Sequence, residues 1–272
     1  MAKNAGYKII SRNETMNTIV SNAEEDVIVS STGMDRLDTC MGGGLYASKL
    51  YGFQARKKVG KTIIMGTMSY NLNEASIPHL WIACEMSAVE IEQRHIARAL
   101  GVNPIAFLKH RDGQLKSDVR KYQQTSKNNI TYADAYYLTI DRLRELVERA
   151  VNENQIEGFF LDYYQLVRGE RENRADHLEE VGQTLAGLVR EYNIWCVTAA
   201  QLNQDGNTRG GEGLKLTADM VFTLHRDKGI KEGWLEMEES RYTPYRNVGS
   251  RRDPGIVLET KGLYFSEDVW EN

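Results

Sequence analysis

From about residue 28 onward, short apolar runs alternate with longer stretches whose apolar residues recur at helical spacing. The strand-like runs are Lys49–Phe53, His79–Cys84, Ile130–Ala133, Gly158–Asp162, Ile194–Ala199 and Met220–Leu224. Between them lie the helix-like stretches Lys61–Leu72, Ala88–Leu100, Thr139–Asn152 and Ala175–Tyr192, the last with Leu178, Val181, Leu185, Leu188, Val189 and Tyr192 in register. Such alternation predicts an α/β fold: a mostly parallel central sheet flanked by helices on both faces. From Gly233 to Phe265 the runs shorten, with turn signals at Tyr242–Asn247 and Lys261–Gly262. This tail predicts antiparallel C-terminal strands that extend the sheet. The segment 1–27 stands apart as an arm, with a short helix capped by Ser11 or Asn13 and carrying Met16, Ile19 and Val20 on one side. It has little to pack on in its own neighbourhood, so docking on a neighbouring subunit is one expectation. Residues 28–272 read as one domain.

Composition adds bounds. At 272 residues, 41% apolar and 26% charged, the chain has material for a full core. It shows neither a secretory signal nor a membrane-length apolar run, so it is expected to stay in the cytosol, that of the host if the source is viral. Three cysteines with no CxxC spacing argue for buried, reduced thiols rather than zinc. A net charge of −4 excludes a surface coated in basic charge, yet one face or groove can still concentrate Lys and Arg.

Between the first strand and first helix lies Ala55-Arg56-Lys57-Lys58-Val59-Gly60-Lys61-Thr62, followed by Ile63. It meets the pattern G-x-x-x-x-G-K-[ST] except at Ala55, a small change that a loop accepts where φ is negative. In that strand–loop–helix context the backbone N–H groups face phosphates, Lys61 reaches the β- and γ-phosphates, and the Thr62 hydroxyl holds Mg²⁺. Asp162 ends an apolar strand; taken alone it reads as a strand-ending turn residue, but about a hundred residues after the P-loop of an α/β chain it fits a Mg²⁺-binding carboxylate. Glu85, at the end of its strand, lies where open α/β sheets bind ligands and could polarise an attacking water, or be a surface residue at a helix start. Gln201, ending another strand, could sense a γ-phosphate or be an ordinary polar loop residue.

Together these landmarks resemble the DnaB-type replicative helicase family. Ser31–Asp38 with Gly42–Leu45 is similar to the family's approach to its first core strand, and Ala55–Thr62 to its P-loop, which commonly begins A-R. Cys84-Glu85-Met86-Ser87 resembles S-L-E-M, which carries the catalytic glutamate. Leu161-Asp162-Tyr163-Tyr164-Gln165-Leu166 resembles I-D-Y-L-Q-L; Ala200–Asn203 resembles S-Q-L-N; Ala218–Val221 resembles A-D-V-V. The resemblance spans about residues 30–265. It implies a RecA-like P-loop NTPase motor using ATP and Mg²⁺, a homo-oligomer in the form of a hexameric ring with ATP between subunits, single-stranded DNA in the channel, 5′–3′ movement, and a primase or loader as partner. It implies catalytic roles for Lys61, Glu85 and Gln201, and for Arg241 as an arginine finger. Two departures stand out: the family's N-terminal helical domain is replaced here by the arm, and the K-x-R finger segment reads Glu239-Ser240-Arg241.

Two loops are placed to meet DNA. Val167–Arg174 carries Arg168, Arg171 and Arg174; Asn203–Lys215 is rich in Gly and Asn and carries Arg209 and Lys215. Of these, Arg168, Arg171, Arg209 and Lys215 are the candidate DNA contacts. Neither loop has an aromatic, so phosphate contact rather than base stacking would be the grip. Plain solvated loops remain the alternative. The basic run Lys109–Lys127 reads as a solvated helix face. Beside the motor stands a second reading, a non-unwinding assembly protein such as a helicase loader or recombinase-like filament, favoured by Glu239 and the short arm. A clock- or signalling-type ATPase fits the Asp162–Leu166 segment less well.

Overall fold

The computed structural model describes residues 10–24, 29–109, 113–169, 173–203 and 213–267. In chain order its elements are α1 (Arg12–Glu24), β1 (Val29–Ser30), α2 (Asp35–Met41), β2 (Leu45–Tyr46), β3 (Leu50–Ala55), α3 (Lys61–Glu74), β4 (His79–Ala83), α4 (Ala88–Leu100), α5 (Gly113–Thr125), β5 (Ile130–Asp134), α6 (Ile140–Asn154), β6 (Gly158–Asp162), α7 (Arg174–Glu191), β7 (Trp195–Gln201), α8 (Gly213–Thr217), β8 (Met220–Arg226), β9 (Glu232–Ser240), β10 (Ile256–Glu259) and β11 (Tyr264–Glu267). Single 3₁₀ turns sit at Pro104–Lys109 and Tyr164–Leu166.

Among the described residues the main sheet has nine strands in the order β11-β10-β9-β8-β3-β7-β6-β4-β5. β8, β3, β7, β6, β4 and β5 run parallel. β9, β10 and β11 add antiparallel rungs beyond β8, as the breakup of the tail pattern predicts. Apart from the edge strand β5, whose residues are only partly buried, the parallel strands are largely buried on both faces and alternate side chains between two cores. Trp81, Phe160, Trp195 and Val197 face α3 and α4. Leu80, Ile82, Phe159, Leu161 and Cys196 face α6 and α7. All three cysteines are free and buried. Among the described residues no helix is long and apolar enough to cross a membrane.

Local chemistry accounts for the helix ends near the sheet's upper edge. Ser87 and Glu90 form a reciprocal capping box at the start of α4, and Gly101 closes that helix at φ 64°. Thr139 caps α6, and Asn173 caps α7. In the arm, Ser11 takes the capping role: its hydroxyl accepts the Glu14 N–H at 3.2 Å while Glu14 accepts the Ser11 N–H at 2.6 Å. Ile10, just before the helix, and Met16, Ile19 and Val20 on it are 47%, 45%, 56% and 54% exposed, so the other described residues leave this apolar side largely uncovered.

Candidate nucleotide site

β3 reaches the sheet's C-terminal edge at Ala55, the last strand residue, in extended backbone that asks for no glycine. From there the chain turns through Arg56, Lys57 and Lys58, all exposed, to Val59 and Gly60. Lys58 has φ 66°, and Gly60, at φ 131°, precedes α3. That conformation favours glycine, and a Cβ there would also crowd the Phe265 ring at 3.0 Å. The α3 N-terminus thus points at the loop, where the N–H groups at the start of a helix can meet an anion, while the Ile63 and Ile64 N–H groups turn back to the Gly60 carbonyl at 3.0 and 2.9 Å. Arg226, at the end of β8, donates to the Val59 carbonyl at 2.9 Å and the Ile230 carbonyl at 2.7 Å, bracing the loop from the side. Ile63 packs into the core below the loop with Val59.

Lys61 folds back over the loop: its Nζ lies 3.5 Å from the Ala55 carbonyl and 5.9 Å from the Tyr163 ring centre. Burial lowers its pKa, opposed by the nearby carboxylates of Asp162 and Glu85. Asp162 is 2% exposed at the end of β6. Burial pushes its pKa up to about 6; the adjacent Thr62 hydroxyl, Lys61 and Arg94 pull the other way, and Glu85 adds to the rise. Neither Asp162 carboxylate oxygen has a hydrogen-bond partner of good geometry. A buried, unpartnered carboxylate beside a threonine hydroxyl is a pair of hard oxygen donors, and it fits Mg²⁺. Bound there, the ion would neutralise charge on the outer phosphates of a nucleotide. Glu85 is exposed just past β4, close enough to act on Lys61, Asp162 and Arg94.

Gln201 joins this group through its backbone. β7 pairs with β3 up to Gln201 opposite Ala55, and the next N–H, of Leu202, donates to the Ala55 carbonyl at 2.9 Å. From the other side the Gln165 amide accepts the Gln201 N–H at 2.8 Å and donates to the Gln201 carbonyl at 3.1 Å. A cavity of about 210 Å³ opens beside the loop, lined by Arg56, Val59, Leu202, His225, Arg226 and Trp234 among others. A larger one, about 680 Å³, lies away from these residues between α4, α5 and β5.

The remaining candidates sit elsewhere. Arg241 is exposed just past β9; its N–H donates to the Asp219 carbonyl at 3.0 Å and its guanidinium to the Leu216 carbonyl at 2.9 Å. Since Met220 pairs with both Ser240 and Tyr51, Arg241 lies at the edge where β3 begins, opposite to Ala55. The strand length alone separates it from its own phosphate loop by about 15 Å. Glu239, two residues back, accepts from the Tyr245 hydroxyl at 3.4 Å. Arg168 is exposed, with its guanidinium 4.4 Å from the Tyr137 ring centre. Lys215 is paired with Glu238 at 3.1 Å; Glu238 also accepts from Thr223, which accepts from Gln54. Arg171 and Arg209 lie outside the described residues.

Three contributors escaped the sequence reading: Arg94, Arg226 and the Gln165 side chain. Arg94 is two turns into α4, and its electrostatic partners are Asp162 first, then Glu90 and Glu85. The signal that could have found it is that α4 begins directly beside Glu85, so its first turns must look at the site.

A glycine-containing loop between β3 and α3, with Lys61, Thr62, Asp162 and Glu85 converging on it, defines a P-loop nucleotide-binding domain of the RecA-like fold. More narrowly, residues 30–243 match the family model of the DnaB-like helicase C terminal domain, and the chain belongs to that family. A curated relative, the replicative DNA helicase DnaB of Treponema pallidum (strain Nichols), is 28% identical over 242 residues, covering 83% of this chain and 54% of that protein. A probable plasmid replicative DNA helicase of Chlamydia trachomatis is 27% identical over 221 residues, 74% of this chain and 48% of that one. The chain spans about half the length of these relatives. Among solved structures, one of an isolated ATPase domain superposes with a TM-score of 0.80 at 18% identity, covering 96% of this chain and 100% of that one. A DnaB-like replicative helicase, solved in a study of its interactions with primase, gives 0.77 at 16% identity, with 95% and 67% coverage. At these identities the superpositions speak to the fold.

Proposed function

We propose that this chain is the ATP-hydrolysing motor of a replicative DNA helicase, acting as a homo-oligomeric ring on single-stranded DNA with 5′–3′ polarity. The observation that carries the reading is the split of the catalytic set. Lys61, Thr62, Asp162 and Glu85 gather at one edge of the sheet, while Arg241 is exposed at the opposite edge. An arginine so placed serves a nucleotide bound by a neighbouring copy, and such a finger is worth orders of magnitude in rate. On this reading Lys61 and the N–H groups from Arg56 to Ile63 hold the phosphates of ATP. Thr62 and Asp162 hold Mg²⁺, Glu85 orients the attacking water, and Gln201 reads the γ-phosphate. Arg168 and Arg171 in one loop, and Arg209 and Lys215 after β7, are the proposed DNA contacts, with a primase or loader as further partner. The family of the chain and the names of its relatives support this reading.

The test is the ATPase rate with and without single-stranded DNA, for the wild type and for mixtures of Lys61→Ala with Arg241→Ala. Each variant alone is expected to be inactive at about the thousandfold level attributed to a finger. Mixing should restore hydrolysis, because a junction can pair one copy's intact loop with the other's intact arginine. No stimulation by DNA, or no rescue on mixing, would count against the motor. The Glu239 departure supports a second reading, an ATP-switched assembly protein; DNA binding that needs ATP yet opens no duplex would select it.

A further inference from the structure

The clamp between Gln165 and Gln201 has a structural logic beyond filling space. β6 and β7 pair as far as Leu161 opposite Thr198, where the Thr198 hydroxyl also donates to the Leu161 carbonyl at 2.9 Å. There the strands part: β6 ends at Asp162 and the chain enters the 3₁₀ turn Tyr164–Leu166, while β7 runs on to Gln201 beside β3. The edge of Gln201 that faces away from β3 would be left without a pairing strand. The Gln165 side chain fills that position, its amide oxygen accepting and its amide nitrogen donating, so one side chain does what two residues of a parallel neighbour strand would do. Gln165 is 8% exposed, so water competes little for either bond.

The clamp therefore ties together two segments that share no backbone pairing at this level. One carries Asp162 three residues earlier and Arg168 three residues later. The other ends in Gln201, whose successor Leu202 is bonded to the first residue of the phosphate loop. We propose that Gln165 is a positioning residue. It fixes the backbone of Gln201 relative to the Asp162 turn, so that the γ-phosphate-reading residue and the bases of both candidate DNA loops shift as one body. This rests on the motor reading above. An amide is required because the position needs a donor and an acceptor at once; leucine supplies neither and an ionised glutamate only the acceptor.

The experiment compares Gln165→Leu and Gln165→Glu with the wild type for melting temperature, affinity for a fluorescent ATP analogue, and ATPase with single-stranded DNA across pH. Gln165→Leu is expected to bind nucleotide as the wild type does but to lose about tenfold or more in kcat, the scale of two lost buried hydrogen bonds. Gln165→Glu carries a signature of its own. Burial raises the pKa of the introduced carboxyl, and once protonated it can donate to the Gln201 carbonyl as the amide does. Its rate relative to the wild type should therefore climb as pH falls from about 8 to about 5.5, while that of Gln165→Leu stays flat. Folded variants with wild-type kcat at every pH, or a Gln165→Glu rate that never separates from Gln165→Leu, would overturn the proposal. If Gln165→Leu does not fold, the pH dependence of Gln165→Glu decides. Amide exchange at Gln201 gives a reading independent of hydrolysis: it must accelerate in the leucine variant. A wild type without DNA-stimulated ATPase would defeat the motor reading, and the exchange rate would still judge the clamp.

Discussion

Asp162 holds an anion where the fold gives it little help. Its pKa lies near 6 against an ordinary 3.8, first because it is buried. The folded state therefore keeps a proton that the unfolded chain has already released. Stability drops as pH rises from about 4 to about 6 and stays lower above that, by ~3 kcal/mol for a shift of this size. Replacing the carboxylate by an amide removes that penalty. Asp162→Asn is expected to melt several degrees higher than the wild type at neutral pH without nucleotide, to lose the advantage near pH 4, and to be inactive. Thermal melts across pH, with an ATPase assay, check this; a variant less stable at neutral pH would refute it. At this scale the sequence was legible wherever a residue's place at the candidate site belongs to a local run: Lys61 and Thr62 follow Gly60, and Asp162 and Glu85 each lie at or beside an apolar strand's end. It was silent on Arg94 and on the Gln165 side chain, whose partners lie on other elements and meet them only by packing.

Among the elements, the predicted parallel strands are all present, but their ends slide. The run read as Lys49–Phe53 is a strand at Leu50–Ala55, and Ile194–Ala199 is one at Trp195–Gln201. A strand buried on both faces has no polar alternation to mark where it stops. α2 escapes the pattern for a different reason. Its opening N–H groups, of Arg36 and Leu37, donate to the Glu267 carboxylate at 2.8 and 2.9 Å. A helix of seven residues is marginal alone, and this one is capped by a carboxylate from the far end of the chain. One close packing has a direct test. Gly158 begins β6 opposite Trp195, and a Cβ there would fall 1.9 Å from the indole, which is itself packed on Phe160 with ring centres 5.4 Å apart. Gly158→Ala should destabilise by ~3 kcal/mol or more while leaving nucleotide affinity, measured well below the melting point, unchanged. Denaturant unfolding with a binding assay checks both halves, and an unaltered midpoint would contradict the packing argument.

For the whole molecule, α1 and Arg241 raise the same matter: each is exposed in the single chain, and we propose that each meets a neighbouring copy. The arm leaves Ile10, Met16, Ile19 and Val20 about half exposed. We propose that a neighbouring copy covers them. Deleting residues 1–27 should lower the oligomer mass read by light scattering, with the nucleotide loop intact; an unchanged mass would refute this. The sequence reads the arm as a separate unit because its apolar positions lack neighbours, but it could not show Arg241 at the opposite edge to Ala55, since that follows only from the reversal of β9 against β8.

That opposition makes each subunit directional. If Arg241 completes the nucleotide site of a neighbouring copy, as proposed, one edge receives and the other donates, and a head-to-tail array supplies every site with its arginine through one repeated contact. In a closed ring of such copies every junction is identical. In such an array each polypeptide is an enzyme toward its own nucleotide and, in effect, an activator of the next subunit's. A signal arriving at one junction thus has a built-in order in which to travel, set by the direction of a single strand.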